Sequence, residues 1–244
     1  MTSQSGEVQI AHRFRGPPAS GNGGYVVGLV AELIEGPAEV SLLAPPPLDV
    51  PLHLRRDDAE VMLFDATANY ARGRPLEEPL DFELPAPPDD DELEAAAMSF
   101  PGPSGHPIPG CFVCGTERAP GDGLCIYPGE SPHRDAAVAE WVPDEEFADE
   151  HGHVVERYLW AALDCPSYFG LCEPRPLALL ARLAGKIERP VTPGERLRIT
   201  SWELSRDRRK HHSATVIHDE AGEVVALAKA LWIEVDKVPG ATAS

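Results

Sequence analysis

The amino-acid sequence predicts an α+β fold of two repeats, in each of which a long antiparallel sheet wraps a central apolar helix. Three observations lead there. Two stretches carry apolar residues at helical spacing, 25–35 and 153–165. Each is followed by short apolar segments punctuated by turn residues, which read as an antiparallel meander. A segment rich in Pro, Asp and Glu, 75–109, separates the two patterns. The halves share little direct identity, so the duplication is one of pattern.

The first half reads as strand, helix, then strands. Within 14–36, FRGPPASGNGGYVVGLVAELIEG, a Gly-rich turn opens directly into the helix. Gly21, Gly23 and Gly24 let the backbone turn tightly and approach a ligand, and Asn22 is the one side chain among them that donates hydrogen bonds. Val26, Val27, Leu29, Val30, Leu33 and Ile34 leave almost no polar face, as in a helix buried all round. Strands are expected at 38–44, 48–55 and 59–67, broken by Pro45-Pro46-Pro47 and Arg56-Asp57-Asp58.

The segment 75–109 is too interrupted by proline to hold much regular structure and reads as a linker or an ordered wrap. In the second half, 124–127 and 136–141 look extended. The helix at 153–165 carries Val154, Val155, Tyr158, Leu159, Ala162 and Leu163 on its apolar stripe. Strands follow at 177–188, 196–205, 213–218 and 224–235, with turns at 207–210 and 219–222. The expected organisation is a first repeat at 1–74, a linker at 75–110, a second repeat at 111–238 and a disordered tail at 239–244.

Composition bounds the partners. With 244 residues, 43% of them hydrophobic, the chain can bury a full core. A formal net charge of −19 argues against nucleic acid and anionic membranes. No run of about 18 apolar residues exists, and the N-terminus shows no cationic, apolar leader, so a cytoplasmic protein without membrane insertion is expected. Five cysteines, an odd count, point to reduced thiols rather than a disulfide scaffold.

Several residue groups carry candidate chemistry. The start of an apolar helix offers free N–H groups and a positive dipole end, suited to a phosphate or to the oxyanion of an attacked carbonyl. The glycines lack both the Lys-Ser/Thr of a phosphate loop and the dinucleotide fingerprint; a tight turn feeding a core helix is the structural alternative. Asp164 is expected at the C-terminal end of its helix, where the dipole would raise its pKa toward that of a useful base; otherwise it caps an Asp-Cys-Pro turn. Glu32 is a second carboxylate, or a rim residue of the first helix. His106, Cys111, Cys114 and Cys125 form H-x4-C-x2-C-x10-C, a spacing that would suit zinc, but a lone Cys-x-x-Cys is weak evidence. Cys165 and Cys172 read as core packing. Arg206, Arg208, Arg209, Lys210, His211 and His212 form the one dense basic run, a solvated hairpin turn or a hold for phosphates.

FRGPPASGNGGYVVGLVAEL resembles the entry loop and central helix of hotdog-fold acyl-CoA thioesterases, where a His-Gly-Gly turn commonly precedes an apolar helix. CFVCGTERAPGDGLCI, 111–126, resembles the Cys-Phe-x-Cys-Gly segment that opens many such domains, and LWAALDCPSYFG, 159–170, the end of the central helix in double-hotdog proteins. The resemblance spans about 10–236 and implies two hotdog repeats. It departs at Asn22, where the family's turn often has His, and at Ala31, where many carry a helical Asp, with Glu32 only adjacent.

The resemblance implies an acyl-CoA or related acyl thioester as ligand, with no cofactor and, since the family's cysteine segment is usually a metal-free loop, no metal. Thioester hydrolysis needs a carboxylate to activate water or attack, and donors for the developing oxyanion. In that reading Asp164 is the base, Asn22 with the N–H groups of Gly23 and Gly24 holds the thioester oxygen, and Glu32 is the runner-up carboxylate. Tyr25 and Tyr168 lie beside the substrate, and Arg208 and Arg209 hold the coenzyme phosphates at the cleft mouth. If the two helices run antiparallel, Asn22 and Asp164 meet across one cleft. Two other readings stay open. One is a non-catalytic acyl-ligand binding protein, favoured by the departures at Asn22 and Ala31. The other is a hotdog hydratase or dehydratase using His151 or His153 with Glu156. Hotdog units pair, so a homodimer is expected unless the duplicated chain satisfies that pairing internally.

Overall fold

The computed structural model describes residues 4–238 and residue 240. The tail expected at 239–244 therefore lies outside the described residues apart from Gly240. Eleven strands form one sheet: β1 (Gln4–Gln9), β2 (Ala38–Leu42), β3 (Pro51–Asp57), β4 (Glu60–Phe64), β5 (Asn69–Pro75), β6 (Gly129–Glu130), β7 (Ala137–Trp141), β8 (Ala178–Ile187), β9 (Leu197–Asp207), β10 (Lys210–His218) and β11 (Val224–Glu234). Among the described residues four α-helices accompany it: α1 (Gly23–Ala31), α2 (Asp90–Ser99), the single turn α3 (Gly102–Gly105) and α4 (Glu156–Phe169).

The strand order is β1-β3-β4-β5-β2-β8-β11-β10-β9-β7-β6, and every neighbouring pair is antiparallel. Apart from the two-residue β6, the order reads as one pattern and its reversal about the β2–β8 junction. There Ala38 pairs with Gly185 and Val40 with Leu183. The apolar α1 has no solvent face: from Gly24 to Ala31 every residue is buried. It packs on β2, β4, β5 and β8, and α4 packs on β7 to β11, so strands from β4 across to β7 close around the helix pair.

The two helices run antiparallel and almost touch along their backbones. A Cβ on Gly24 would stand 2.5 Å from the Asp164 Cβ and 2.8 Å from the Ala161 Cα; one on Gly28 would stand 2.5 Å from the Arg157 Cα. The two glycines, one turn apart, are therefore required by the close approach of the helices. Gly73 on β5 admits α1 in the same way, with Val30 Cγ1 at 2.5 Å from the position its Cβ would take.

Several expected elements shift. The first helix is one turn shorter at its C-terminal end than the apolar spacing implies, with Leu33 and Ile34 in a turn. The strand expected at 59–67 stops at Phe64, because Asp65 Oδ1 accepts from the N–H groups of Thr67 and Ala68 and folds the chain into a turn. The segment 124–127, expected to be extended, neither joins the sheet nor stays extended, since Cys125 is left-handed (φ 53); Leu124 and Ile126 instead donate to the carbonyls of Phe112 and Val113.

The proline-rich segment holds more structure than its composition suggests. Asp89 caps α2, accepting from the Glu92 N–H at 2.8 Å. Glu92 accepts from Nε and Nη2 of Arg134, at 2.8 and 2.9 Å, and from the Ser131 hydroxyl at 2.6 Å. Upstream, Phe82 packs edge-on to Trp202 at 5.6 Å, and Arg198 on β9 reaches the Pro88 carbonyl and Asp90. This stretch is an ordered wrap over the second half.

Candidate active site

Asn22 fixes where α1 begins. Its backbone is extended (φ −61, ψ 135), and its side-chain Oδ1 accepts from the Tyr25 N–H at 2.9 Å, satisfying one orphan donor of the first turn. The opposite side of the same amide, Nδ2, donates to Asp164 Oδ2 at 3.1 Å. The Gly24 N–H donates to that oxygen at 2.7 Å. The antiparallel helix pair thus brings Asn22 and Asp164 together across 142 residues of sequence.

Asp164 does not sit at a helix C-terminus. The helix continues through Pro166 to Phe169, its last turn held by burial of Ser167 and Phe169 and by the Trp232 indole N–H donating to Ser167 Oγ at 2.8 Å. Pro166 lacks the N–H of a helical rung, and these tertiary contacts override that loss. The cause of the carboxyl's behaviour changes accordingly. Burial pushes the Asp164 pKa up to about 7, while the Gly24 N–H and the Asn22 amide pull it down and Cys111 pushes it up. Asp164 is 2% exposed, and its second oxygen, Oδ1, is buried without a hydrogen-bond partner.

A pocket of about 240 Å³ reaches this pair. Its walls are mostly apolar, from Leu42, Pro46, Ile108, Leu180 and Trp232, and Gly23, Asn22, Asp164, Cys111 and Cys165 complete it. The Gly23 N–H has no acceptor among the described residues. A donor at a helix start, a carboxylate with one buried, unpartnered oxygen and an apolar pocket form an arrangement suited to proton abstraction beside a carbonyl group.

The loop carrying Cys111 is brought to α1 by main-chain bonds: Phe112 N–H to the Arg15 carbonyl and Asn22 N–H to the Phe14 carbonyl, each 2.8 Å. Arg118 adds two carbonyl contacts from one guanidinium, to Arg13 and Gly110, both at 2.8 Å. In consequence Cys111, Cys114 and Cys165 cluster, their sulfurs within 4.8 Å of one another. Cys125, expected with the first two, has a left-handed backbone (φ 53) and stands outside the cluster; Cys165, expected as plain packing, takes its place.

The remaining expected residues fall elsewhere. Gly24 is adjacent to the pocket, but its N–H is already given to Asp164. Tyr25 turns away from the pocket into an aromatic cluster, stacked on Phe14 at 4.2 Å beside Phe112 and Tyr158. Tyr168 donates to the Pro176 carbonyl at 2.9 Å and borders a separate cavity of about 50 Å³ with His106 and Trp232. Glu32 lies at the far end of α1, paired with Arg157 Nε at 2.8 Å and accepting from the Arg157 N–H at 3.3 Å. Arg208 takes the left-handed position of the β9–β10 hairpin (φ 53), and Arg209 donates to the Glu234 carbonyl; neither lines the pocket. His151 and His153 belong to the turn before α4, where both backbone N–H groups donate to Asp149, and they too are off the pocket. Sequence reasoning missed Gly28 and the Trp232–Ser167 bond; a Gly-x-x-x-Gly pair within 23–31 was the available signal for the first.

No protein-family model and no curated protein matches the chain. Solved structures do. A Thermobifida fusca YX protein provisionally assigned as a thioesterase II aligns over 96% of this chain and 94% of its own, at 14% identity and a TM-score of 0.63. An Alicyclobacillus acidocaldarius protein of unknown function with a hot dog fold covers the same shares at 10% identity and a TM-score of 0.63. A Novosphingobium aromaticivorans DSM 12444 protein provisionally assigned as a thioesterase covers 95% of each chain at 11% identity and a TM-score of 0.60. The chain has an α+β hotdog fold. Among the described residues no helix is long and apolar enough to cross a membrane.

Proposed function

We propose that the chain is a double-hotdog hydrolase of an acyl thioester, an acyl-CoA or a related thioester, with one working site at the Asn22–Asp164 junction. The observation that carries this reading is the unpartnered oxygen of Asp164. Oδ2 is held by Gly24 and Asn22, so Oδ1 is the oxygen left to act on a water or a carbonyl in the pocket. In the proposed reaction Oδ1 takes a proton from water as the water oxygen bonds to the thioester carbonyl carbon. The resulting oxyanion accepts from the Gly23 N–H. Collapse of the tetrahedral intermediate breaks the carbon–sulfur bond, and the departing thiolate recovers the proton from Asp164. Asn22 holds the carboxylate rather than the substrate oxygen, because both ends of its amide are engaged.

The palindromic strand order supports the duplication: β1, α1, β2 to β5 correspond to β7, α4, β8 to β11. On that correspondence Glu32 with the Arg157 N–H is the counterpart of Asp164 with the Gly24 N–H. Arg157 neutralises Glu32, which supports a single working site. The names of the structural neighbours in Thermobifida fusca and Novosphingobium aromaticivorans agree with thioester chemistry.

The test is thiol release from acyl-CoAs of graded chain length by the native chain, Asp164→Asn and Glu32→Gln. Loss of turnover in Asp164→Asn with turnover kept in Glu32→Gln is expected. Turnover unaffected by Asp164→Asn would remove that residue from the mechanism. A second reading, a non-catalytic acyl-ligand binding protein, is favoured by Asp164 Oδ2 already satisfying the start of α1; tight binding of acyl-CoA with no thiol release in the native chain would select it.

A further inference from the structure

We propose that Cys111, Cys114 and Cys165 form a buried three-thiolate site for a zinc ion, set beside Asp164. The three sulfurs lie within 4.8 Å of one another, with Cys111 and Cys165 3.6 Å apart. A tetrahedral zinc with Zn–S bonds of about 2.3 Å spaces its sulfurs by about 3.8 Å, so the cluster needs little rearrangement to bind one. All three residues are buried.

What separates this cluster from ordinary core thiols is its surroundings. Two side chains bring N–H groups to the sulfurs. Asn22 Nδ2, with one hydrogen on Asp164 Oδ2, has one left for Cys111 Sγ at 3.8 Å and Cys165 Sγ at 3.7 Å, and His106 Nε2 stands 3.2 Å from Cys114 Sγ. The tautomer of His106 follows from its other nitrogen: Nδ1 accepts the Ile108 N–H at 3.0 Å, so the ring proton is on Nε2 and points at the sulfur. N–H donors aimed at sulfur are the partners that a metal-bound thiolate accepts from. Such donors around the sulfurs are what outer-shell support of a metal–thiolate site consists of. A cavity of about 50 Å³ adjoins the three cysteines and His106.

The ligand set differs from the one that spacing alone suggests: Cys165 from α4 replaces Cys125, and His106 supports a ligand instead of being one. Three sulfurs leave a fourth position, and the pocket shared with Asp164 supplies it with solvent. Thiolate donors select zinc over magnesium or calcium. Asn22 then connects the metal to the carboxylate, since one amide nitrogen faces Cys111, Cys165 and Asp164 Oδ2.

The test uses the full chain, free of any affinity tag, from zinc-replete cells. Elemental analysis should find about one zinc per chain, and the stripped protein given Co(II) should show tetrahedral d–d bands with thiolate-to-cobalt charge transfer of three-sulfur intensity. Cys114→Ser and Cys165→Ser should lose the metal, whereas Cys125→Ser and Cys172→Ser should keep it. If the first two variants fail to fold, the cobalt spectrum of the native chain decides alone. A native chain that is free of zinc and gives no cobalt band, zinc that survives in Cys165→Ser, or a Cys111–Cys165 disulfide found by mass spectrometry each overturns the proposal.

Discussion

Replacing Gly28 with Ala sets two opposed effects against each other, and their magnitudes decide the sign. Alanine is favoured over glycine inside a helix by about 0.8–1.0 kcal/mol, so propensity alone predicts stabilisation. The new Cβ, however, would lie 2.5 Å from the Arg157 Cα, 2.7 Å from its Cβ and 3.0 Å from its carbonyl oxygen. Carbon atoms in ordinary contact sit about 3.5–4.0 Å apart, so α1 and α4 must separate by about 1 Å. Two of the three obstructing atoms are main chain and cannot rotate aside. Overpacking costs about 1–3 kcal/mol, and with backbone in the way the upper value applies, which leaves a net loss of about 2 kcal/mol. For a chain of this size that lowers Tm by about 4–8 °C. Urea denaturation should show a lower midpoint with an unchanged slope. Gly6→Ala is the control, because nothing lies within 4 Å of its added Cβ. A Gly28→Ala protein as stable as the native one, or more so, would refute the close approach of the two helices.

Asn22→Ala removes the cap of α1 and a donor to Asp164; about 1 kcal/mol for the first and about 1.5–3 for the second give a combined loss of about 2.5–4 kcal/mol, read by thermal denaturation. A loss below about 0.5 kcal/mol, the range of an ordinary surface substitution, would show that the amide is not engaged as described. Asp164→Asn should lower kcat for thiol release by at least about 100-fold, the usual reach of a general base, without unfolding the chain as judged by circular dichroism. Glu92→Ala releases Arg134 and Ser131 and should loosen α2 by about 1–3 kcal/mol. Hydrogen exchange at residues 90–99 should then rise while that of β9 to β11 stays slow; equal protection in both proteins would contradict the anchoring.

The legible parts of this fold were those in which a local pattern coincides with a tertiary role. Residues 26–30 are apolar on all sides and all are buried, so α1 followed from composition alone. Four strands of the second half stood out by alternating or continuous apolar character, although β10 begins at Lys210, three residues before the expected 213–218 and inside the basic run expected to be a turn. β5 escaped notice: NYARGRP has small and cationic residues at its positions, and its place is set by α1 pressing on Gly73. α2 was obscured by flanking prolines, although Asp89 opens a proline-free run through Phe100. The meeting of Asn22 and Asp164 was anticipated from antiparallel helices, but which atoms of each are engaged depends on side-chain geometry. The sulfur cluster was only half readable, since Cys165 is 54 residues from Cys111 and joins through α4.

The β2–β8 junction has a consequence for how the two helix ends can diverge. In a symmetric dimer every substitution is made twice, and a carboxylate introduced at one helix start is introduced at the other. Here one covalent chain carries both sides of the junction, with Glu39 opposite Ala184 and Ser41 opposite Arg182. Each helix start is written separately, so Arg157 can occupy one while Gly24 keeps the other open. Dilution cannot separate the two sides, and asymmetry between them becomes heritable.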